Sequence, residues 1–427
     1  MNIDTHSHEV ALLRRAFACA VEASQPSRCL TPALAQVVDP GPAVVLGAGK
    51  AAASMAAAFY AHWAHPVRGL VVTRYEHGLR DGEDAGEIEV IEAGHPSPDS
   101  ASVAAGRRLL ALASSISPNE QLYWLVSGGG SALAAAPLAP LSFEQKRDAA
   151  GFLMRAGADI REINCVRKHL SGLKGGRLAA AAHPRSVRTF AISDVPGDDI
   201  AAIASGPTIA DPTTQADALA ILLKYQYPEV DALRVVLDDP AFETPKPSDQ
   251  AFAADYAGLV ATAATALNAV RDMLEQEGIP VMYLGDDLDS EAQQLGREHA
   301  ELALSELTKG NRVAILSGGE TRVVIKQSGG RGGRNLEYLA GLAERLNDTR
   351  GIFAIAADTD GIDGHGGHAG GVIVPGSVAA AVSRDIDLST CLETNDCYRF
   401  FAASDTLVET GPTRTNVNDF RLILCQP

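Results

Sequence analysis

The sequence predicts an α/β protein of two domains. The chain has 427 residues, more than one hydrophobic core usually organises. Short β-branched and apolar runs alternate with segments of helical periodicity along most of its length. A proline-rich stretch, DDPAFETPKPSD at 238–249, separates two such alternating halves. We therefore predict one domain at 1–240, with a mostly parallel sheet, and a second α/β domain at 250–427.

Composition and charge narrow the class of protein. With 46% hydrophobic and 21% charged residues, the chain is typical of a globular protein. Its net charge of −17 argues against a broad surface for nucleic acid or for an anionic membrane. The six cysteines have no zinc-type spacing, which indicates a reducing compartment. Without a secretion signal or a long apolar run, the sequence predicts a cytoplasmic protein.

The first clear strand leads into a glycine turn that favours an anion. The run AVVL at 43–46 is followed by Gly47-Ala48-Gly49-Lys50 and an alanine-rich helix. A strand, a glycine turn and a helix form the phosphate-binding layout of Rossmann-like folds, and read as G-x-G-x-x-A the turn hints at a dinucleotide. Lys50 places a cation where the helix dipole disfavours one, so we predict that a bound anion compensates its charge. A surface lysine is the alternative.

Two other strands end in serine and glycine. LYWLV at 122–126 runs into a loop of three consecutive glycines, which leave backbone N–H groups accessible to an anion. VAIL at 313–316 runs into a similar segment in the second half. We predict that these two loops bind the cofactor together with Gly47 and Gly49; their residues are Ser127, Gly128, Gly129, Gly130 and Ser131 in the first, and Ser317, Gly318, Gly319 and Glu320 in the second.

A glycine turn with two arginines opens a helix near residue 335. Segment 328–335 packs four glycines around Arg331 and Arg334. The positive end of the helix and two forked guanidinium groups suit phosphate or carboxylate oxygens, so an anion site is predicted here. A sharp turn with two solvated arginines is the alternative.

Segment 163–182, INCVRKHLSGLKGGRLAAAA, is predicted to be a basic helix. Arg167, Ser171 and Lys174 fall at i, i+4 and i+7 and would lie along one face. We predict that this stripe binds a substrate carboxylate. A solvated helix face is the alternative.

Aspartates follow two predicted buried strands. Asp194 comes after FAI at 190–192, and Asp358 and Asp360 come after IFAIA at 352–356. Enzymes of the α/β class keep their chemistry at the carboxyl ends of strands, and carboxylates suit Mg²⁺. We predict that Asp194 orients a hydroxyl group, accepts its proton or binds a metal, with Asp358 and Asp360 as alternative metal ligands.

A series of ordered motifs runs along nearly the whole chain. The motifs are GAGKA (47–51), GHPSPD (94–99), SGGGSA (127–132), INCVRKHLSGLKGGRLA (163–179), SDVPGDD (193–199), IASGPT (203–208), SGGE (317–320), GGRGGRN (329–335), DTDGIDG (358–364) and TGPTRTNVND (410–419). Together they resemble one family, the glycerate 2-kinases, whose C-terminal half is called the MOFRL domain. The resemblance implies ATP- and Mg²⁺-dependent conversion of D-glycerate into 2-phosphoglycerate, in a cleft between the two domains. Lys50, Arg331 and Arg334 would then hold the transferred phosphoryl group.

Two other functions stay open. An NAD(P)-dependent hydroxypyruvate reductase is suggested by Gly47, Gly49 and Ala52, with Glu76 near the distance of a ribose-binding acid. Against it, Lys50 and the other anion loops exceed what one dinucleotide needs. A non-catalytic ATP sensor is the third hypothesis. The expected partners are D-glycerate and ATP, with no nucleic acid and no membrane; the oligomeric state is open, a homodimer being one option.

Overall fold

A computed structural model describes residues 7–364 and 367–427. It divides the chain into two compact units. The N-terminal unit is Pro26–Val260, and the C-terminal unit combines the chain up to Gln25 with Ala261–Pro427. Each unit contains one six-stranded sheet with helices packed on it, as expected of two α/β domains.

The unit boundaries differ from the predicted domains 1–240 and 250–427 at both ends. Helix α1 (Ser7–Ala23) packs in the C-terminal unit, where the ring centroids of Phe17 and Phe420 are 5.8 Å apart. Segment 238–249 is no free linker, because the Glu243 carboxylate lies 3.0 Å from His169 Nε2 within the N-terminal unit. The prolines of segment 238–249 correctly indicated an irregular backbone, but polar contacts such as that of Glu243 hold the segment against the N-terminal unit.

The N-terminal unit has a sheet of strand order β3-β2-β1-β4-β5-β6. Its strands are β1 (Ala43–Ala48), β2 (Val67–Arg74), β3 (Glu87–Ala93), β4 (Gln121–Val126), β5 (Val187–Ile192) and β6 (Tyr256–Ala261). Its helices are α2 (Pro26–Leu34), α3 (Ala52–His62), α4 (Ser100–Ala113), α5 (Gly130–Leu133), α6 (Phe143–Arg155), α7 (Ile160–His169), α8 (Arg177–Ala182), α9 (Gln215–Lys224) and α10 (Val230–Leu237). Short 3₁₀ turns occupy Ile203–Ser205, Pro240–Phe242 and Gln250–Phe252.

Strand register in this sheet brings three loops to one edge. Strands β1 and β4 are parallel, with Ala48 opposite Val126, and β4 is parallel to β5, with Val126 opposite Ala191. All of β1 is buried, as a strand covered on both faces should be. The loops that follow β1, β4 and β5 therefore leave the sheet side by side, at its carboxyl edge.

The C-terminal unit has a mixed sheet of order β11-β10-β9-β12-β8-β7. Its strands are β7 (Val281–Gly285), β8 (Val313–Gly319), β9 (Ile352–Asp358), β10 (Gly370–Ile373), β11 (Leu407–Val408) and β12 (Asp419–Cys425). Besides α1, its helices are α11 (Ala263–Gln276), α12 (Ala292–Thr308), α13 (Arg334–Leu346), α14 (Ser377–Val382), α15 (Leu388–Glu393) and α16 (Cys397–Ser404). Strand β12 runs antiparallel to both β8 and β9. Helix α13 is buried along most of its length and forms the centre of this unit's core.

Within the described ranges, no helix is both long and apolar enough to cross a bilayer.

Candidate anion-binding site

Three predicted site segments lie at the carboxyl edge of the N-terminal sheet. Lys50 follows β1, the loop 127–131 follows β4, and Asp194 follows β5. Lys50 and Asp194 are both partly exposed. A methyl group placed on Gly129 would lie 2.9 Å from His95 Cδ2 and 3.4 Å from Lys50 Cγ, so His95 and Lys50 flank this glycine.

The Gly47–Lys50 turn does not offer its backbone to an anion. The Gly49 N–H donates to Val72 O at 3.0 Å, and the Lys50 N–H donates to Gly128 O at 2.9 Å. The Ala51 N–H donates to Ser127 Oγ at 2.9 Å. Gly49 is required for another reason, because its φ is +146° and a Cβ there would overlap Ser127. This turn therefore joins two loops of the protein and lacks the open amides of a pyrophosphate cradle.

The loop 127–131 keeps three amides open. Among the residues that the structure describes, the N–H groups of Gly128, Gly129 and Ser131 have no acceptor within the protein. Gly129 has φ +82°, a left-handed conformation that favours glycine, and it begins the short helix α5. Of the predicted cofactor-binding loops, this one has the geometry that the prediction requires.

Beside this loop lies a cavity of about 530 Å³. Helices α6 and α7, the loop after β3 and the loop after β4 enclose it. Five cationic side chains contribute to its lining against one carboxylate, Asp148. The charged and polar lining residues are His95, Ser97, Ser131, Lys146, Arg147, Asp148, Arg155, Arg167 and Lys174.

Lys146 is the least satisfied of these cations. It is 7% exposed, and within residues 7–364 and 367–427 its Nζ finds no hydrogen-bond partner. It shares the buried face of α6 with Ala149 and Leu153. Burial, with the nearby charge of Arg167, lowers the pKa of Lys146 to about 7.

Lys174 holds the glycine loop in place. Its Nζ donates to Ser131 O at 2.8 Å and to Ser131 Oγ at 2.9 Å, and it lies 3.3 Å from Ala204 O. Burial, and then the charges of Lys146 and Arg167, lower its pKa well below the ordinary value. All three acceptors are neutral, so no counter-ion among the described residues offsets the burial that lowers this pKa.

The predicted helical stripe of Arg167, Ser171 and Lys174 is wrong as a helix face. Helix α7 ends at His169, and the next helix starts at Arg177. Arg167 and Lys174 still meet at the cavity, but Ser171 does not line it. The Ser171 hydroxyl donates to Ala136 O and accepts from the Leu173 N–H, so it closes a turn. Glycines at 172, 175 and 176 broke the helix that the periodicity suggested.

In the C-terminal unit, the turn before α13 already contains its own anions. The Arg334 guanidinium donates to Asp419 and Asp358, both at 2.7 Å, and lies 3.3 Å from Glu320. Burial alone would lower the Arg334 pKa, but Asp419, Asp358 and Glu320 hold that pKa well above its ordinary value. Arg334 is therefore balanced by internal carboxylates, contrary to the open phosphate site that we predicted.

The start of α13 is capped by Asp363. Its two carboxylate oxygens accept the N–H groups of Asn335 at 3.1 Å and Leu336 at 3.0 Å. Burial raises the Asp363 pKa to about 7, against the opposing charge of Arg334. At the glycine turn, where we predicted a bound phosphate or carboxylate ligand, a buried carboxylate of the protein occupies the helix start. Arg331 is exposed, with its guanidinium 3.9 Å from the centre of the Tyr398 ring.

The segment 317–320 is not an anion loop. Ser317, Gly318 and Gly319 belong to strand β8 and pair with β12. Gly319 is needed because a Cβ there would lie 2.2 Å from Leu288 N. The Glu320 carboxylate faces Arg334. This segment and the loop 127–131 therefore share a few residue types but not a backbone conformation.

The aspartates predicted to bind a metal differ in their surroundings in the two units. Over residues 7–364 and 367–427, no group of three or more His, Cys, Asp or Glu side chains is arranged to hold a metal ion. The two Asp358 oxygens accept hydrogen bonds from Arg334 and from the Asp360 N–H, and Asp360 accepts from the Ile362 N–H. These contacts fit a structural turn better than a metal site. Asp194 is partly exposed, at the same sheet edge as Lys50, and its metal role stays a prediction.

Sequence reasoning missed His95 and Lys146. His95 stands in GHPSPD, which served only for the resemblance. Lys146 had a readable signal: in FEQKRDAAGFLMR it occupies the apolar stripe with Ala149 and Leu153, where a lysine is costly unless a ligand or partner compensates it.

These features define a protein of two α/β units with a cationic cavity at the carboxyl edge of a parallel sheet. Two family models match the chain: "Domain of unknown function (DUF4147)" over residues 12–237 and "MOFRL family" over residues 313–419. The chain is 34% identical over 406 residues to the D-glycerate 2-kinase of Thermotoga maritima, covering 94% of each protein. It therefore belongs to the glycerate 2-kinase family of enzymes, which confirms the resemblance.

Two further comparisons bear on function. The crystal structure of glycerate kinase from Thermotoga maritima matches with a TM-score of 0.87 at 32% identity, over 98% of this chain and 99% of that one. A relative from Agrobacterium vitis is 44% identical over 97% of this chain and 94% of its own length, and is named "Putative hydroxypyruvate reductase". The relatives thus carry names of two different activities.

Proposed function

We propose that this protein is an ATP- and Mg²⁺-dependent kinase that phosphorylates the 2-hydroxyl of D-glycerate to give 2-phosphoglycerate. The observation that carries the proposal is a group of three cations in the cavity that Gly129 lines, for which the described residues supply no carboxylate partner: Lys146, Arg167 and Lys174. Phosphoryl transfer passes through an anionic transition state, so positioning and charge stabilisation dominate its catalysis. Cations without internal counter-ions supply that stabilisation, and the names of the kinase relatives support the same chemistry.

Lys50 would hold the oxygens of the transferred phosphoryl group. It stands at the sheet edge next to Gly129, whose open N–H and that of Ser131 can donate to phosphate oxygens. Removing one such donor from a closed site typically costs about 2.7–4 kcal/mol of barrier, roughly 10²- to 10³-fold in rate. Arg331, which is exposed, is retained as a second phosphoryl-binding candidate, whereas Arg334 would act by positioning Asp358 and Asp419.

Asp194 would orient the acceptor hydroxyl or hold Mg²⁺. It follows β5 directly, at the same edge as Lys50, and is open to solvent on one side. When bound, Mg²⁺ supplies neutralisation of phosphate charge. Asp194 itself accepts a hydrogen bond from a hydroxyl group or keeps the ion in place, and either role needs a carboxylate at this position.

The second candidate function is an NAD(P)-dependent reductase of hydroxypyruvate, favoured by the names of two relatives at 44% and 43% identity. The Gly47–Lys50 turn argues against it, because the N–H groups of Gly49, Lys50 and Ala51 are all used inside the protein. A dinucleotide needs such amides for its pyrophosphate. Mixing the protein with hydroxypyruvate and NADH and following nicotinamide absorbance tests this candidate; we expect no change in absorbance.

The kinase proposal is tested by product identity. The protein is incubated with ATP, Mg²⁺ and D-glycerate, and the phosphorus compounds are resolved by ³¹P NMR. A new signal of the 2-phosphate ester supports the proposal. A 3-phosphate ester would contradict the regiochemistry. ATP binding without any ester would favour the sensor hypothesis.

A further inference from the structure

The cavity in the N-terminal unit is built on the scale of a nucleotide. Cavities that enclose ligands of drug size measure about 300–1,000 Å³, and this one measures about 530 Å³. A three-carbon acid would leave most of that volume unfilled. Part of the wall is apolar, with Phe143, Met154, Pro96 and Pro98 among the lining residues, and a nucleoside has a large, flat apolar face to cover them.

The charges in the cavity point to a ligand with several negative charges. Lys146, Arg167 and Lys174 affect one another electrostatically, and in the part of the chain that the structure describes none of the three forms an ion pair. Asp148, the carboxylate of the lining, accepts from Arg147 at 2.9 Å instead. A carboxylate of a small acid would balance one cation, whereas a polyphosphate balances all three.

Lys146 adds an independent sign of a ligand. It is more than nine-tenths buried, lines the cavity and has no hydrogen-bond partner among the described residues. An ammonium group buried in this way is costly unless something compensates it. Its low pKa is the physical result of that missing partner in the ligand-free protein.

We infer that this cavity binds the polyphosphate of the nucleotide, with Lys146 as a charge partner of its phosphate oxygens. The inference rests on the proposed kinase function for the identity of the nucleotide. It assigns Arg167 and Lys174 to the nucleotide and directs D-glycerate elsewhere. Lys146 then acts in binding and selects for ligands with several phosphates.

The test measures binding without turnover. Inorganic tripolyphosphate, ADP and D-glycerate are each titrated by calorimetry into the wild-type protein, Lys146→Met and the control Lys224→Met. Lys224 is an exposed lysine of the same unit and pairs with Glu162. The control variant therefore also removes one lysine charge, but from the protein surface. We expect Lys146→Met to weaken tripolyphosphate and ADP by about 10- to 100-fold, as for a charge-assisted hydrogen bond, and Lys224→Met to change them by less than about twofold.

D-glycerate affinity should be the same in all three proteins. Unchanged polyphosphate affinity in Lys146→Met, or a loss confined to D-glycerate, would overturn the inference. Circular dichroism checks that each variant is folded, and Lys146→Gln replaces Lys146→Met if the latter is not. Polyphosphate binding that depends on Lys146 would support the cavity assignment even if ³¹P NMR showed no ester, so failure of the kinase proposal is seen separately.

Discussion

Two glycine-rich segments of this protein are both predicted to bind an anion, and they differ in charge balance. The loop 127–131 of the N-terminal unit lies beside Lys146, Arg167 and Lys174, for which the described residues supply no carboxylate partner. The turn before α13 of the C-terminal unit places Arg334 among three carboxylates and receives a fourth, Asp363, on the helix amides. Both segments favour anions. The protein itself supplies the carboxylates at the turn before α13, and it supplies none to Lys146, Arg167 and Lys174 among the described residues.

Glycine and cation patterns therefore identify segments whose backbone can bind an anion. They do not determine whether the protein or a ligand supplies that anion. Charge balance depends on residues distant in sequence. Asp419, for example, reaches Arg334 from 85 positions away.

The largest expected effect is on stability, at Arg334. Arg334→Met removes the cation that donates to the buried carboxylates of Asp358 and Asp419, although Asp419 keeps its pair with Arg421. Breaking such a buried pair typically costs about 3–5 kcal/mol. Urea unfolding of the variant should show that loss. The surface pair of Arg345 and Glu301 gives the control, since Arg345→Met should change the free energy of unfolding by under about 1 kcal/mol. An Arg334→Met protein of unchanged stability but no activity would return Arg334 to the role of an open phosphate ligand.

The next effect is on catalysis, at Lys50. Lys50→Met should lower kcat/KM about 10²- to 10³-fold, because it removes a cation from the phosphoryl oxygens. The midpoint of urea unfolding should stay close to that of the wild-type protein, since Lys50 is partly exposed. Steady-state assays with ATP and D-glycerate measure the effect, and Lys224→Met again provides the control. Near-normal turnover would remove Lys50 from the mechanism.

The third effect is on pH dependence in the cavity. The pKa of Lys146 in the free protein is about 7, and a bound polyphosphate must raise it. Binding therefore takes up a proton above pH 7, and affinity for tripolyphosphate should fall as the pH rises from 7 to 9, by up to about tenfold per pH unit.

The charged groups that share the cavity with Lys146 are His95, Arg147, Asp148, Arg155, Arg167 and Lys174. Subtracting the pH profile of Lys146→Met from that of the wild-type protein isolates the lysine from these neighbours. Parallel profiles for the two proteins would show that Lys146 does not titrate with binding.

The smallest expected effect is on stability at Arg331. Its guanidinium stacks on Tyr398 at the surface, a contact typically worth about 0.5–1 kcal/mol. Arg331→Ala should lose about that much in urea unfolding, far less than Arg334→Met. A loss of activity in a folded Arg331→Ala protein would identify the arginine of this turn that remains available to an anion. A loss of several kcal/mol would instead place Arg331 with Arg334 in the structural network.

Local patterns were enough for much of the fold and for part of the site. The strand before Lys50, the loop 127–131 and the helix after Arg334 are all present, since each rests on periodicity and turn residues that act over a few positions. The placement of α1 in the C-terminal unit was missed, because it depends on contacts such as Phe17 with Phe420. The expected location of the active site in a cleft between the two domains stays a prediction.

The site was harder because its chemistry depends on partners. The spacing of Ser171 predicted a place on a helical stripe. In the structure Ser171 is a turn residue, because helix α7 ends two residues earlier. Arg334 reads as an open cation and is neutralised from three strand ends. Lys146, in contrast, could be recognised from the local sequence, because it is a lysine within the apolar stripe of a helix. Burying a lysine without a partner is costly, so this pattern indicates a ligand or partner.

The most direct measurement is the position of a bound nucleotide in crystals of the protein soaked with ADP. The account predicts phosphate density between Gly129, Lys146 and Lys174, in the cavity of the N-terminal unit. Phosphate density at the start of α13, with Arg334 released from Asp358 and Asp419, would contradict it.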